Sequence, residues 1–216
     1  MNPEFTLYTY FRSSAAFRVR IALNLKGIEP EYKFVHLLKE GGQQFRGEYE
    51  ALNPQHLVPT LVNDGKVIGQ SLAIIEYLDE IIPEPPLLPK DALGRARVRQ
   101  IAYAVACDIH PINNLRVRRY LLHELHHSED EILAWQVHWM KTGFDALEKM
   151  LSAGSGKFCH GDAPTLADIC LIPQLANARG ANMDLNPWPT LKRLEKAAYE
   201  LAAFSDALPK NQPDAE

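Results

Sequence analysis

Phe5-Thr6-Leu7-Tyr8-Thr9-Tyr10-Phe11-Arg12-Ser13-Ser14-Ala15-Ala16-Phe17-Arg18-Val19-Arg20-Ile21-Ala22-Leu23 decides how the rest of the chain is read. Phe5 to Tyr10 has the pattern of an apolar strand, a short polar turn follows, and a helix then begins. Val19, Ala22 and Leu23 share one helical stripe, and Phe17, Ile21 and Leu25 share the next. The helix is therefore apolar over a broad face and is expected to pack on a sheet. The same spacing puts Arg18, Arg20 and Lys26 on the remaining, wetter side. Ser13 and Ser14 fall at the helix N-terminus, where unpaired N–H groups and the helix dipole favour an anion. A hydroxyl there either caps the helix or donates to an anion held against it. Two serines flanked by Arg12 and Arg18 point to an anion site without naming the anion.

Working outward, Gly27 is placed to cap that helix, and Tyr32 to Leu37 reads as a second strand, which completes a βαβ unit with a parallel pair. Gly41-Gly42 opens a loop, and Gln43 to Leu52 reads as a short irregular helix ended by Asn53-Pro54. Val58-Pro59-Thr60-Leu61-Val62 is a strand whose second residue cannot donate to a ladder, so Pro59 belongs at a strand start or an edge. That placement leaves the Val58 N–H and C=O able to pair with an extended, peptide-like ligand. Asn63-Asp64-Gly65-Lys66 is a hairpin turn leading into Val67 to Gly69. Gln70-Ser71 then starts a helix through Ile82, with Ser71 as its expected N-cap and Ile74, Ile75, Leu78 and Ile82 on one face. The order is β-α-β-α-β-β-α.

Pro83-Glu84-Pro85-Pro86-Leu87-Leu88-Pro89 can continue neither a helix nor a sheet interior. It reads as a stiff linker over residues 84–90, between a first domain over 1–83 and an all-helical one over 91–216. In the helical half, Val98, Ile101, Val105, Ile109 and Ile112 recur at helical spacing, with a kink expected at Pro111. Ser128 begins another helix whose core face is read as Trp139, Gly143, Leu147 and Met150. Thr165-Leu166-Ala167-Asp168 resembles a capping box, and Pro173 is expected to bend the helix it opens. Pro187 to Phe204 supplies a last helix, and the tail from Pro209 is expected to fray.

The 216 residues carry a formal net charge of −4, with 46% hydrophobic and 23% charged side chains, which gives no electrostatic case for nucleic acid or an anionic membrane. No apolar run approaches the roughly 20 residues that span a bilayer, and the N-terminus lacks a basic-then-apolar leader pattern. Cys107, Cys159 and Cys170 are odd in number and widely spaced, which suits a reducing cytoplasm rather than a disulfide framework. His123-Glu124-Leu125-His126-His127 satisfies the zinc-protease pattern H-E-x-x-H formally. It lies at a helix end in a polar segment, where a zinc cleft is not expected, and no metal is assigned.

Taken in order, these motifs resemble the zeta class of the glutathione transferases. The resemblance rests on Ser13-Ser14-x-x-Phe17-Arg18-Val19-Arg20-Ile21-Ala22-Leu23, Gly41-Gly42-Gln43-Gln44-Phe45 and Ala51-Leu52-Asn53-Pro54. Val58-Pro59-Thr60-Leu61, Gln70-Ser71-Leu72-Ala73-Ile74-Ile75-Glu76-Tyr77-Leu78, Gly161-Asp162 through Asp168, and Gln212-Pro213-Asp214 extend it over nearly the whole chain. It implies a thioredoxin-like domain followed by a helical bundle, a homodimer with its site near the subunit boundary, and glutathione as cofactor. One position departs: the class carries a Cys after the paired Ser, and this chain has Ala15. A redox mechanism built on a protein cysteine thereby loses its nucleophile, whereas an isomerase receives its thiol with glutathione.

The resemblance implies that Val58 pairs with the cysteinyl backbone of glutathione beside a cis Pro59. Gln70 and Ser71 hold the γ-glutamyl end, and Gln44 reaches the glycyl side. Ser13 donates to the sulfur, with Ser14 assisting. The implied reaction is conversion of maleylacetoacetate to fumarylacetoacetate in aromatic amino acid catabolism, with maleylpyruvate as the rival substrate and conjugation of small α-halo acids as a side activity. A small unsaturated dicarboxylate needs cations, for which Arg12 and Arg179 are the candidates; His110 and Asn114 are placed to contact glutathione or substrate. Arg18 and Arg20 are read as structural, and Thr165 and Asp168 as capping residues. A glutathione-binding module without turnover is the alternative from another class, and a cysteine-based reductase is disfavoured by Ala15.

Overall fold

The computed structural model describes residues 4–216 and separates the chain into two compact units. One ends at Pro86 and is rejoined by Leu201–Glu216; the other is Leu87–Glu200. The boundary thus falls inside the proline-rich stretch, but the final segment belongs with the first unit and not with the helical half.

The first unit is built on a four-stranded sheet in the order β2-β1-β3-β4. Strands β1 (Phe5–Thr9) and β2 (Glu31–Phe34) run parallel, joined through helix α1 (Ser14–Lys26). Strand β3 (Thr60–Asn63) is antiparallel to β1, and β4 (Lys66–Gly69) is antiparallel to β3. A short helix α2 (Gly47–Leu52) precedes β3, and α3 (Ser71–Ile81) follows β4. This is the expected β-α-β-α-β-β-α order with shorter ends: β2 stops at Phe34, and Gln43–Phe45 is a separate 3-10 turn ahead of α2. Gly27 caps α1 at φ 65°, and Ile28 N–H donates to the Leu23 carbonyl at 2.9 Å, a left-handed cap that glycine adopts without a Cβ penalty.

The wet face expected for α1 is absent. Arg18, Arg20 and Lys26 are all buried, at 2%, 1% and 8% exposure, because each head group meets fixed acceptors. Lys26 Nζ donates to the Asp79 carboxylate and to the Ile82 and Pro85 carbonyls at 2.6–2.7 Å, tying the helix to the start of the proline-rich stretch. Hydrogen-bonded in this way, a cation can be a core residue. The tail expected to fray from Pro209 is pinned instead, by hydrogen bonds from the Phe11 amide to Asp214 and from Gln212 Nε2 to the Asp206 and Leu208 carbonyls, and the residues before it are packed as well. Helix α9 (Ala202–Ser205) packs on α1, Asn24 Nδ2 donates to the Ala203 carbonyl at 3.0 Å, and Phe204 and Ala207 are buried.

The second unit contains α4 (Ala92–Tyr103), α5 (Leu115–His123), α6 (Glu129–Ser152), α7 (Leu166–Gly180) and α8 (Pro189–Tyr199). The last helix expected from the sequence is therefore two, α8 and α9. The break near Pro111 begins earlier than proline alone would put it. Residues Ala104–Ile109 form a π-helical turn, with His110 N–H donating to the Val105 carbonyl at 2.9 Å, and a 3-10 turn over Pro111–Asn113 follows. The core face of α6 is rotated from the one read in the sequence: Ile132, Gln136, Met140, Phe144, Leu147 and Leu151 are buried, while Trp139 is only partly so. Trp139 instead makes edge contacts with Trp135 and His138. Gly143 is small for a packing reason, since a Cβ there would sit 2.2 Å from Ile109 Cδ1.

At α7 the capping box forms as read. Asp168 Oδ2 accepts from the Thr165 amide at 2.8 Å and its hydroxyl at 3.0 Å, and Oδ1 accepts from the Cys159 amide at 2.8 Å. Burial raises the Asp168 pKa, and these hydrogen bonds oppose the rise.

Candidate active site

The turn between β1 and α1 is closed by a 3.0 Å hydrogen bond from Ser13 N–H to the Tyr10 carbonyl. Ser13 is the N-cap of α1, and its Oγ accepts from the Ala16 amide at 3.2 Å. A hydroxyl that accepts in this way keeps its own proton for donation, so capping and donation to an anion are compatible in one residue. Ser14, the first helical residue, is buried. Arg12 is exposed on the turn, its guanidinium 5.1 Å from the Phe11 ring centroid.

Val58-Pro59 immediately precedes β3, with a cis peptide bond between them. The β1–β3 register ends at the pair Tyr8 and Thr60, so Val58 lies beyond the ladder with its backbone groups outside it. Its flanks are fixed. Asn53 Nδ2 donates to the Leu57 carbonyl at 2.8 Å and to Thr60 Oγ1 at 2.9 Å, and the Tyr49 hydroxyl bonds to the same two residues. Tyr49, whose pKa burial raises, packs in one apolar cluster with Val58, Tyr10, Phe11 and Val35. This cluster joins the Val58 segment to the serine turn.

Gln70, and not Ser71, occupies the N-cap position of α3, with φ 67° and ψ 117° and no side-chain cap to the helix amides. A left-handed φ at a non-glycine residue is uncommon, and such conformations gather at binding sites. Its side-chain Nε2 donates to Gln55 Oε1 at 2.8 Å. Ser71 is the first helical residue and is buried; its Oγ accepts from Arg18 Nη1 at 3.3 Å. Arg18 thereby connects the N-terminal turns of α1 and α3, in agreement with its structural reading.

Gln44 is 4% exposed. Its Nε2 donates to the Leu37 carbonyl at 3.4 Å, while Oε1 is buried without a hydrogen-bond partner among the described residues. A buried amide oxygen left open suits a ligand N–H. Gly42, at φ 113°, makes room for this side chain: a Cβ there would come within 2.6 Å of Gln44 Nε2. An uncapped helix N-terminus, backbone groups outside the ladder at Val58, an open acceptor at Gln44 and a donating hydroxyl at Ser13 can pair with an extended, peptide-like ligand that carries a carboxylate.

In the second unit, His110 ends the π-helical turn and Asn114 caps α5, its Oδ1 accepting from the Arg116 and Val117 amides at 3.0 and 3.4 Å. The cap uses the Asn114 carbonyl oxygen and leaves its NH₂ to donate. The segment is held by α6, since Trp135 Nε1 donates to the Ile112 carbonyl at 2.9 Å and Gln136 Nε2 to the Asn113 carbonyl at 3.3 Å. These two supports were not singled out from the sequence. Gln136 had a signal, as a polar residue in register with the buried face of α6. Arg179, expected to meet a diacid, is bound through Nε and Nη2 to Glu195 at 2.9 and 2.5 Å, which leaves Nη1 for such a contact. Glu195 is buried, and the hydrogen bonds that Arg179 donates to it raise the Arg179 pKa. His123 ends α5 and His127 lies in the following loop, so the H-E-x-x-H spacing does not present both on one helical face.

The chain matches the family models for the glutathione S-transferase N-terminal domain over residues 12–81 and C-terminal domain over residues 140–210. It is 46% identical to a probable maleylacetoacetate isomerase of Vibrio cholerae over 97% of each chain. A bacterial zeta-class maleylpyruvate isomerase in its holo form superposes with a TM-score of 0.94 at 47% identity, over 98% of this chain and 100% of that one. Maleylacetoacetate isomerase of Methylobacterium extorquens AM1, with bound malonate and glutathione, does so with a TM-score of 0.94 at 42% identity, covering 98% and 99%. The chain belongs to the glutathione S-transferase family, and within it to the zeta class. Among the described residues no helix is long and apolar enough to cross a membrane.

Proposed function

We propose that this chain is a glutathione-dependent cis–trans isomerase of maleyl diacids, with maleylacetoacetate as its substrate. The observation that carries the reading is the Ser13 cap, a hydroxyl free to donate at the start of α1. Bound glutathione supplies the sulfur nucleophile that adds to the conjugated cis double bond, permits rotation about it and departs as the trans bond forms. Ser13 donates to that sulfur, and the first amides of α1 add positive potential, so the thiol is held below its ordinary pKa near 8.5. Ser14 assists from the adjoining position. Val58 pairs its backbone with the peptide, Pro59 shapes that strand end, and Gln44 receives the glycyl amide. Gln70 and Ser71 take the γ-glutamyl carboxylate at the uncapped N-terminus of α3.

Arg12 is the exposed cation that orients the diacid and meets the negative charge that develops on its carbonyl oxygens. His110 and Asn114 are assigned ligand-binding roles of their own, the Asn114 NH₂ being left to donate by its cap. Arg179 takes part only through Nη1, because Glu195 occupies its other edge. That the Methylobacterium relative binds both malonate and glutathione supports a dicarboxylate substrate. Maleylpyruvate is the second substrate to assay, since a relative of nearly equal similarity is named for it. The reading places the protein in the cytoplasm, as a homodimer, in phenylalanine and tyrosine breakdown. The test is conversion of both acids with and without glutathione, repeated on Ser13→Ala. Turnover without glutathione, or glutathione binding with no turnover of either acid, overturns it.

A further inference from the structure

The serine turn is held from outside by two charged side chains of opposite sign. Phe11 is a central residue of the turn closed between Tyr10 and Ser13. Its N–H donates to Asp214 Oδ2 at 2.9 Å, and its carbonyl accepts from Arg20 Nη2 at 3.2 Å. Arg20 also reaches the Tyr10 carbonyl through Nη1 at 3.5 Å and the Thr9 hydroxyl at 3.2 Å. The same guanidinium donates through Nε and Nη2 to the Ala207 carbonyl at 3.2 and 3.1 Å. One buried arginine therefore binds the turn and the C-terminal segment together, and Asp214 returns from that segment to take the remaining amide.

Asp214 is itself held in place. Ala215 N–H donates to the Gln212 carbonyl at 3.0 Å, closing a turn that contains Asp214. Gln212 Nε2 donates to the Asp206 and Leu208 carbonyls at 2.8 and 3.0 Å, and Asn211 Nδ2 to the Ser205 carbonyl at 2.8 Å. Beyond it, Glu216 pairs with Lys39 in an exposed contact that contributes little, and lies 3.6 Å from His36 Nε2.

We propose that Asp214 is a positioning residue for sulfur activation: by fixing the Phe11 amide it sets where Arg12 and the Ser13 hydroxyl stand relative to the first amides of α1. The proposal rests on the isomerase reading. Misplacement of a reacting group by about 1 Å can cost up to about 100-fold in rate, and loss of one of several restraints costs less.

The test is a titration of bound glutathione, read from thiolate ultraviolet absorbance, on the parent, Asp214→Ala and Asp214→Asn, together with kcat and KM for the maleyl acid. In Asp214→Ala the sulfur is expected to titrate about half a unit or more higher, with kcat at pH 7 down about fivefold and KM within about twofold. Asp214→Asn keeps an oxygen acceptor and is expected to stay within about twofold of the parent throughout. A parent-like titration and kcat in Asp214→Ala overturns the proposal, as does an equal loss in both variants. Should Asp214→Ala not fold, Asp214→Glu moves the carboxylate by one methylene and carries the same expectation, with a parent-like titration overturning it. A parent that binds no glutathione sinks the isomerase reading itself, and that result is distinct from any difference between variants.

Discussion

The turn at Tyr10–Ser14 and the segment at His110–Asn114 both carry residues assigned to ligand, yet they are built in opposite ways. The first is a tight turn whose backbone groups are gripped by buried or part-buried charges brought from residues 20 and 214. The second is a departure from helical geometry, an i→i+5 turn followed by a 3-10 turn, steadied by two neutral side chains of α6. Charge-assisted hydrogen bonds are roughly twice as strong as neutral ones. Charged side chains thus hold the Tyr10–Ser14 turn, whereas the His110–Asn114 segment rests on weaker, neutral restraints.

The sharpest way to break this contrast is Arg20→Met. It leaves the Tyr10, Phe11 and Ala207 carbonyls without their donor, at about 1–3 kcal/mol for each buried acceptor that water does not reach. A loss of about 3–5 kcal/mol in denaturant unfolding is expected, and a loss below about 1 kcal/mol would show that the turn does not need its guanidinium. Burial lowers the Arg20 pKa to about 10, so the group remains charged at neutral pH and the comparison there is between a cation and a neutral side chain.

Ser13→Ala comes next. Removing one preorganised donor from developing or resting negative charge costs about 100-fold in rate. At saturating glutathione kcat is expected to fall by about that factor at pH 7 and to recover partly at high pH, where the thiol ionises unaided. An unchanged pH profile would move the role to Ser14.

The two arginines sharpen the contrast between exposed and committed cations. Arg12→Ala is expected to raise KM for the diacid about tenfold, the value of one charge-assisted contact. Arg179→Gln is expected to change it by less than about threefold and to lower stability instead, because Glu195 is left buried without its partner. Equal effects on KM would place both guanidinium groups on the substrate.

The smallest effect belongs to the start of α6, where Ser128 and Glu131 form a capping box. Hydrogen bonds from Ser128 hold the Glu131 carboxyl below its ordinary value. Its folded-state pKa being depressed, its contribution is present above the unfolded value and lost as pH falls through the folded one. Ser128→Ala should cost about 1 kcal/mol at neutral pH, read from chemical unfolding.

Local rules made the serine turn, Gly27, Pro59 and the Thr165–Asp168 box legible, because each is a contact between residues a few positions apart. The same rules misread Arg18, Arg20 and Lys26 as solvated, since the acceptors that allow a buried cation lie as far off as Ala207 and Pro85. They also misplaced the core face of α6. Large aromatic Trp139 looked like core, but burial followed the stripe from Ile132 to Leu151.

By itself, then, the sequence determined the order of strands and helices, the left-handed cap at Gly27 and the pairing of a hydroxyl with a helix start. These follow from backbone sterics and hydrogen bonds that close within a turn. Only the tertiary structure decided that the C-terminal segment belongs to the first unit, that Gln70 rather than Ser71 takes the N-cap position of α3, and that Glu195 holds Arg179. Those outcomes depend on where distant acceptors come to rest, and no spacing along the chain encodes that distance.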